Sequence, residues 1–334
     1  MSLTAKDSWG ISVIIPNYNG EALLPIVLPT VMTALNNTKL DSEIIVVDDC
    51  STDNSVNLLS SSYANIKLIS NQTNLGFSPS VNKGFAQAKY ALVLILNSDV
   101  QLSPDYFARQ LPYFDDVDCF GVMGRIIGWN DNHIQDAAKY PSFHGVKIKT
   151  TGNYLTDPII TGDRLYSWYL SGANALVSNE KLTKLGGFDE TFAPFYVEDF
   201  ELSLRAWRMG WSCYYEHDSI CRHKESVTIK SANKKAYIKT IYYRNKMLLH
   251  FIHLDRFKLL QWYLILLFEL IFKTAIGQWY FTKAFKLFLE RKNMARQSKV
   301  QFHALSNRME RDITVTNVAD KILASLKAKS IRRF

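Results

Sequence analysis

Four short apolar runs, three of them ending in a polar or acidic cluster, constrain this chain more than any other feature. Ile11–Ile15 runs into Pro16-Asn17-Tyr18-Asn19, Glu43–Val47 into Asp48-Asp49, and Ala91–Leu96 into Asn97-Ser98-Asp99, with Ile66–Ile69 lying between the last two. The runs are continuous rather than alternating, which predicts strands covered on both faces, as in a parallel sheet. Helical patterns at Glu21–Leu35, Asp53–Ser61 and Phe77–Lys89 separate them, the first strained by Pro25 and Pro29. This βαβα order predicts an α/β, doubly wound, mostly parallel sheet flanked by helices. Ligands of such sheets bind outside the carboxyl ends of the strands, where these clusters fall.

The chain has neither a G-x-G-x-x-G after its first strand nor a G-x-x-x-x-G-K-[ST] loop, so no glycine-rich cradle is available for phosphate. A divalent cation, Mn2+ or Mg2+, held by carboxylates is the simplest substitute. Further along, Gly121–Ile127 reads as a strand, and residues 128–168 as an irregular insertion of a length that tends to be functional or disordered. Tyr169–Val177 resumes as a strand containing Ser171-Gly172-Ala173, where the glycine signals close backbone approach or a packed bulge. Glu198-Asp199 then opens an amphipathic helix with Phe200, Leu204 and Trp207 on one stripe and Gly210 as its stop. Asp199 occupies the N-cap position, but a cap needs one acid, which leaves Glu198 unexplained.

Charge divides the chain. Residues 1–227 hold 17 Lys/Arg and 25 Asp/Glu, a net −8, whereas residues 228–334 hold 22 and 6, a net +16. A uniformly basic nucleic-acid binder lacks this split, so nucleic acid is excluded as a partner. An acidic body that holds a cation, joined to a basic tail that meets an anionic surface, has it. The tail carries a 14-residue apolar stretch, Leu259–Phe272, interrupted by Gln261 and Glu269 and shorter than a membrane span needs. Phe281, Phe285 and Phe288 follow at helical spacing with Lys283 and Lys286 between them. Residues 256–292 therefore read as amphipathic helices that meet a membrane surface, with packing on the body or on a second copy of the chain as the alternative. Cys50, Cys119, Cys213 and Cys221 show no C-x-x-C spacing and read as reduced thiols of a cytoplasmic protein, and Met1–Gly10 has no apolar signal core.

Seven stretches together resemble the family 2 glycosyltransferases of GT-A fold, in their bacterial cell-surface polysaccharide, rhamnosyltransferase-like branch: ISVIIPNYNG (11–20), EIIVVDDCSTDNS (43–55), NLGFSPSVNKGFAQA (74–88), LILNSDV (94–100), SGANALVS (171–178), GGFDETFAPFYVEDFELSLRAWRMGW (186–211) and RHKESVT (222–228). The resemblance implies a catalytic domain over 1–227, with its nucleotide-sugar part at about 10–100 and its acceptor part at about 101–227, followed by a helical extension over 228–334. It implies that Pro16, Tyr18, Asp48, Asp49, Asn74, Gly76, Asn82, Asn97 and Asp99 bind the nucleotide-sugar, with Asp49 accepting from the base. Asn97 replaces the first acid of the family's D-x-D, which keeps a ribose contact but removes a charge. Asp99 and His223, with His217 as the alternative to His223, then hold the metal. Glu198-Asp199 matches the pair that includes the general base of inverting enzymes, and Gly172 and Ala173 face the acceptor. The implied reaction moves a sugar from a nucleotide donor to a hydroxyl of a glycan or lipid-linked acceptor, by an enzyme peripheral on the inner face of the cytoplasmic membrane. A nucleotidyltransferase or an inactive sugar-binding module are the competing classes. The first would need a glycine-rich loop that PNYNG does not supply, and the second is opposed by intact Asp99, Glu198 and Asp199.

Overall fold

The computed structural model describes residues 9–224, 234–311 and 313–334. The four apolar runs become parallel strands: β1 (Gly10–Asn17), β2 (Asp41–Asp48), β3 (Lys67–Ser70) and β4 (Leu92–Leu96). Helices α1 (Leu24–Thr38), α2 (Ser55–Ser62) and α3 (Phe77–Phe85) cross between them. Pro25 falls in the first turn of α1, where no N–H is needed, and Pro29 lies inside the helix at the loss of one hydrogen bond. Beyond β4 come β5 (Val100–Leu102), β6 (Cys119–Gly128) and β7 (Ile134–Asp136). Residues 138–166 form short strands β8 (Ala138–Lys139), β9 (Phe143–His144), β10 (Lys147–Ile148), β11 (Asn153–Thr156) and β12 (Leu165–Tyr166). The expected irregular insertion is thus a set of small ladders. The body closes with β13 (Asn174–Ser178), α4 (Asn179–Leu185), α5 (Glu198–Arg208) and β14 (Ser212–His223).

The main sheet runs β12-β14-β6-β13-β4-β1-β2-β3. Its β3-β2-β1-β4 part is parallel, and β13 enters antiparallel between β4 and β6. The chain order reverses at β1/β4, so Asn17, Asp49 and Asn97 emerge at the topological switch point.

Four helices follow: α6 (Lys235–His253), α7 (Arg256–Ala275), α8 (Trp279–Arg308) and α9 (Val315–Ser325), then β15 (Ile331–Arg333), which pairs with β11. The expected boundary between residues 227 and 228 lies outside the described residues, as does the ESVT part of the last family-like stretch. One apolar core contains Val93, Phe120 and Trp207 of the body together with Leu248, Phe288 and Ile322 of the tail helices. Polar links reinforce it. Buried Glu201 takes a bidentate contact from Arg205 and faces His253 Nε2 at 3.2 Å, and Arg291 donates to Thr191 O at 2.6 Å.

Candidate active site

A cavity of about 740 Å3 opens at the switch point, a size that suits a nucleotide-sugar. Of the residues singled out in the sequence, Pro16, Tyr18, Asp49, Asn74, Gly76, Asn97, Asp99, Ala173 and His223 line it.

Asp49 is fixed at the end of β2. Its Oδ1 accepts from Asn71 Nδ2 and Leu75 N, both at 2.8 Å, and Oδ2 accepts from Gly76 N at 2.8 Å. A carboxylate offers about four acceptor positions, so Oδ2 keeps one for a further donor. Gly76 has φ +88, and a Cβ there would lie 2.5 Å from Pro194 Cα. Only glycine lets the turn at residues 74–76 press against the loop that leads to Glu198.

Five candidates, Asp48, Asn82, Gly172, Glu198 and Asp199, are not among the residues that line the cavity. Asp48 is spent on its own turn: Oδ1 accepts from Asn17 Nδ2 (2.9 Å) and Ser51 Oγ (2.5 Å), and Oδ2 from Ser51 N (2.9 Å). Asn82 bridges Phe188 N and O and reaches Glu190 Oε1, tying α3 to the GGFD turn rather than to ribose. Gly172 turns its N–H towards Asp199 Oδ2 at 3.2 Å, so its close approach serves a carboxylate of the protein.

Asp99 and His223 are brought together by the β5–β14 ladder, which pairs His223 with Val100. Asp99 Oδ1 is buried without a hydrogen-bond partner and lies 3.5 Å from His223 Nε2. His223 Nδ1 faces Gln135 Oε1 at 3.1 Å, which orients the ring with Nε2 towards Asp99. His217 sits at a bulge of β14 between Arg125 and Tyr215, away from the cavity, and burial pushes its pKa down to about 4. Among the described residues no three His, Cys, Asp or Glu side chains gather as a cation cage. The orphaned Asp99 oxygen and the oriented imidazole nevertheless fit a cation whose other ligands come from a bound diphosphate.

Glu198 and Asp199 stand at the first turn of α5. The N-cap is Val197, not Asp199: Val197 has φ 75 and offers no side-chain cap. Asp199 is therefore not the cap residue, although its Oδ1 accepts from Phe200 N, a first-turn N–H of α5, at 2.7 Å. Tyr196 and Val197 both have left-handed backbone, φ 73 and 75, which a β-branched residue reaches only under strain. The α6 helix holds that loop in place. Asn245 Nδ2 donates to the carbonyls of Phe192, Phe195 and Tyr196 at 2.6–3.0 Å, and Arg244 Nη2 to those of Phe192 and Ala193.

Burial first, and then the adjacent Asp199 charge, push Glu198 up to about 8, and its Oε2 has no partner. Burial raises Asp199 as well, opposed by the N–H groups of Gly172 and Phe200. The N–H groups of Gly172 and Phe200 favour the charged form of Asp199, whereas burial and the neighbouring Asp199 charge favour the neutral form of Glu198.

The insertion supplies groups that the sequence did not single out. Lys139 pairs with Asp136, donates to Asn153 Oδ1 at 3.0 Å and lies over the Tyr169 ring, placing a cation near Asp199. Gln135, Thr150 and Thr151 complete that wall.

Residues 12–186, just over half of the chain, match the family model described as "Glycosyl transferase family 2". The chain is 26% identical over 215 residues to the N-acetylglucosaminyl-diphospho-decaprenol L-rhamnosyltransferase of Mycobacterium tuberculosis, covering 57% of this chain and 69% of that protein. Among solved structures it resembles GalNAc-T7 with UDP, GalNAc and Mn2+ (TM-score 0.63, 14% identity, 97% of this chain and 58% of that one). It also resembles Staphylococcus aureus TarS 1–349 with UDP-GlcNAc (TM-score 0.52, 17% identity, 95% and 92% covered). At these identities the structural likenesses speak to the fold, which is that of the GT-A enzymes expected from the sequence.

Proposed function

The chain belongs to glycosyl transferase family 2, and from that premise we propose that it moves a sugar from a nucleotide-diphosphate donor to a hydroxyl of a lipid-linked or glycan acceptor in cell-surface polysaccharide synthesis, inverting the anomeric carbon. The observation that carries this reading is one cavity lined by Asp49 and by the converging Asp99 and His223, and bordered by Gly172, whose N–H holds Asp199. The relative's diphospho-decaprenol acceptor supports a lipid-linked substrate.

In this mechanism Tyr18, Asp49 and Asn97 seat the nucleotide. Asp99 and His223 would hold a divalent metal, a role supported by the Mn2+ in GalNAc-T7; when bound it would supply positive charge to stabilise the leaving diphosphate. Asp199, ionised and oriented by Gly172, takes the proton of the acceptor hydroxyl as it attacks from the face opposite the leaving group. Protonated Glu198 keeps a second negative charge away from the incoming oxygen. Residues 256–292 bring the enzyme to the inner face of the cytoplasmic membrane, where such an acceptor resides. Among the described residues no helix is long and apolar enough to cross a membrane.

The test is a thermal-shift and nucleotide-release panel of UDP-, GDP- and dTDP-sugars with Mn2+ or with EDTA. One donor should raise the melting temperature and release its nucleotide, more so with Mn2+. A panel in which no donor binds or is turned over would contradict the reading.

A further inference from the structure

The tail holds two helical apolar stripes, and the fold treats them oppositely. On α8, Phe281, Ala284 and Phe288 are buried in the shared core, with Lys283 and Lys286 exposed beside them. On α7 only Trp262 and Leu266 are buried. Its Phe257, Leu260, Leu264, Phe268, Ile271 and Phe272 are 54–71% exposed, and the strip continues into exposed Ile276 and Trp279. Steps of three and four place these side chains on one face of a 20-residue helix, about 30 Å long. An apolar face of that length left in water marks an interaction surface.

We infer that the outer face of α7 is the element that enters the membrane interface, lying in the plane of an anionic leaflet. The inference rests on the membrane-surface reading proposed above and narrows it from residues 256–292 to one helix face. Three observations favour lipid over a second copy of the chain. The only acid of α7, Glu269, is turned to the protein and paired with Lys147 at 2.5 Å, and the exposed acid at its N-cap, Asp255, stands 3.8 Å from Lys258, so the outer face of the helix presents no unpaired acid. Exposed bases stand at both ends of the strip, Arg256 before Phe257, and Lys283 and Lys286 within two turns of Trp279. Finally, the surrounding segment is +16, so a second copy would set like charge against like, whereas an anionic leaflet complements it.

The inner face of α7 is fastened. His250 stacks on Trp262, with ring centroids 5.7 Å apart, and Lys273 lies over the Tyr243 and Phe281 rings. The Lys147–Glu269 pair attaches α7 to β10, which leads within three residues to Thr150 and Thr151 of the cavity wall. A leaflet meeting the outer face of α7 is therefore separated from that insertion by one helix.

The experiment is vesicle flotation of the full chain on phosphatidylcholine alone and on a phosphatidylcholine/phosphatidylglycerol mixture. It compares wild type, the triple variant Leu264→Ser/Phe268→Ser/Ile271→Ser, and Lys283→Glu/Lys286→Glu. The serine positions are exposed, so melting temperature and nucleotide release from the donor should match wild type. Wild type should float with the anionic vesicles, the triple variant at least tenfold less, and the charge variant should lose its preference for anionic lipid. A triple variant that floats like wild type overturns the assignment to α7 while leaving membrane association standing. A wild type that ignores vesicles, with a dimer in sedimentation that the triple variant dissolves, overturns it in favour of a second copy. Loss of donor turnover in wild type itself would strike the sugar-transfer reading instead.

Discussion

Two regions of the site use the same residue type in opposite ways. At the end of β2, Asp49 on the cavity wall and Asp48 off it each accept three hydrogen bonds, all from donors of the protein. Elsewhere, Asp99 Oδ1 and Glu198 Oε2 accept none, and Glu198 is pushed up to about 8. A satisfied carboxylate builds shape. An unsatisfied one in a buried setting is unstable until something arrives, and that marks where chemistry happens. Asp49 combines both kinds, because three partners fix it and one acceptor position is left over.

The contrast can be broken most forcefully at Asp49. Asp49→Ala leaves three donors unpaired and removes the base contact. Donor affinity by calorimetry should weaken more than tenfold, and stability should fall by about 3 kcal/mol. Asp48→Ala strips a comparable set of donors but touches no ligand. Stability should fall by about 2 kcal/mol in urea melts while donor affinity changes less than threefold. An equal loss of affinity in the two variants would erase the distinction between them. Asn245→Ala releases the strained loop before Glu198. Transfer should slow by roughly tenfold with donor affinity unchanged, since misplacing a catalytic group costs rate rather than binding. Glu198→Gln has the smallest effect and depends on pH. Burial raises Glu198 in the folded state, so its contribution is present below its unfolded pKa and is lost as pH rises through about 8. Wild-type melting temperature should therefore decline across that range, and the Gln variant should be flatter.

The nucleotide wall was legible in the sequence because its signals are local. An uninterrupted run such as Ala91–Leu96 and the polar cluster behind it place a strand and its functional end in ten residues. The acceptor wall depends on contacts between distant residues. Gln135 orients His223 from 88 positions away, and Asn245 holds the carbonyl of Phe192 from 53. Lys139 gave no pattern to read. The N-cap expected at Asp199 lies two positions earlier because Val197 caps α5 in a left-handed conformation, which no local preference of Phe-Tyr-Val predicts. In the tail, periodicity identified apolar faces on α7 and α8 alike but could not tell which one the body covers. Tertiary packing decides that, burying Phe288 and leaving Phe268 exposed.

The account stands on Asp199 as the ionised, oriented carboxylate that receives the acceptor proton. Measuring donor affinity and single-turnover transfer side by side in Asp199→Asn tests it most directly. The side chain keeps its size and its place beside Gly172, so donor affinity should stay within about twofold, while transfer falls by roughly 10³. Transfer at a rate near that of the wild type, with the donor bound normally, would contradict the assignment.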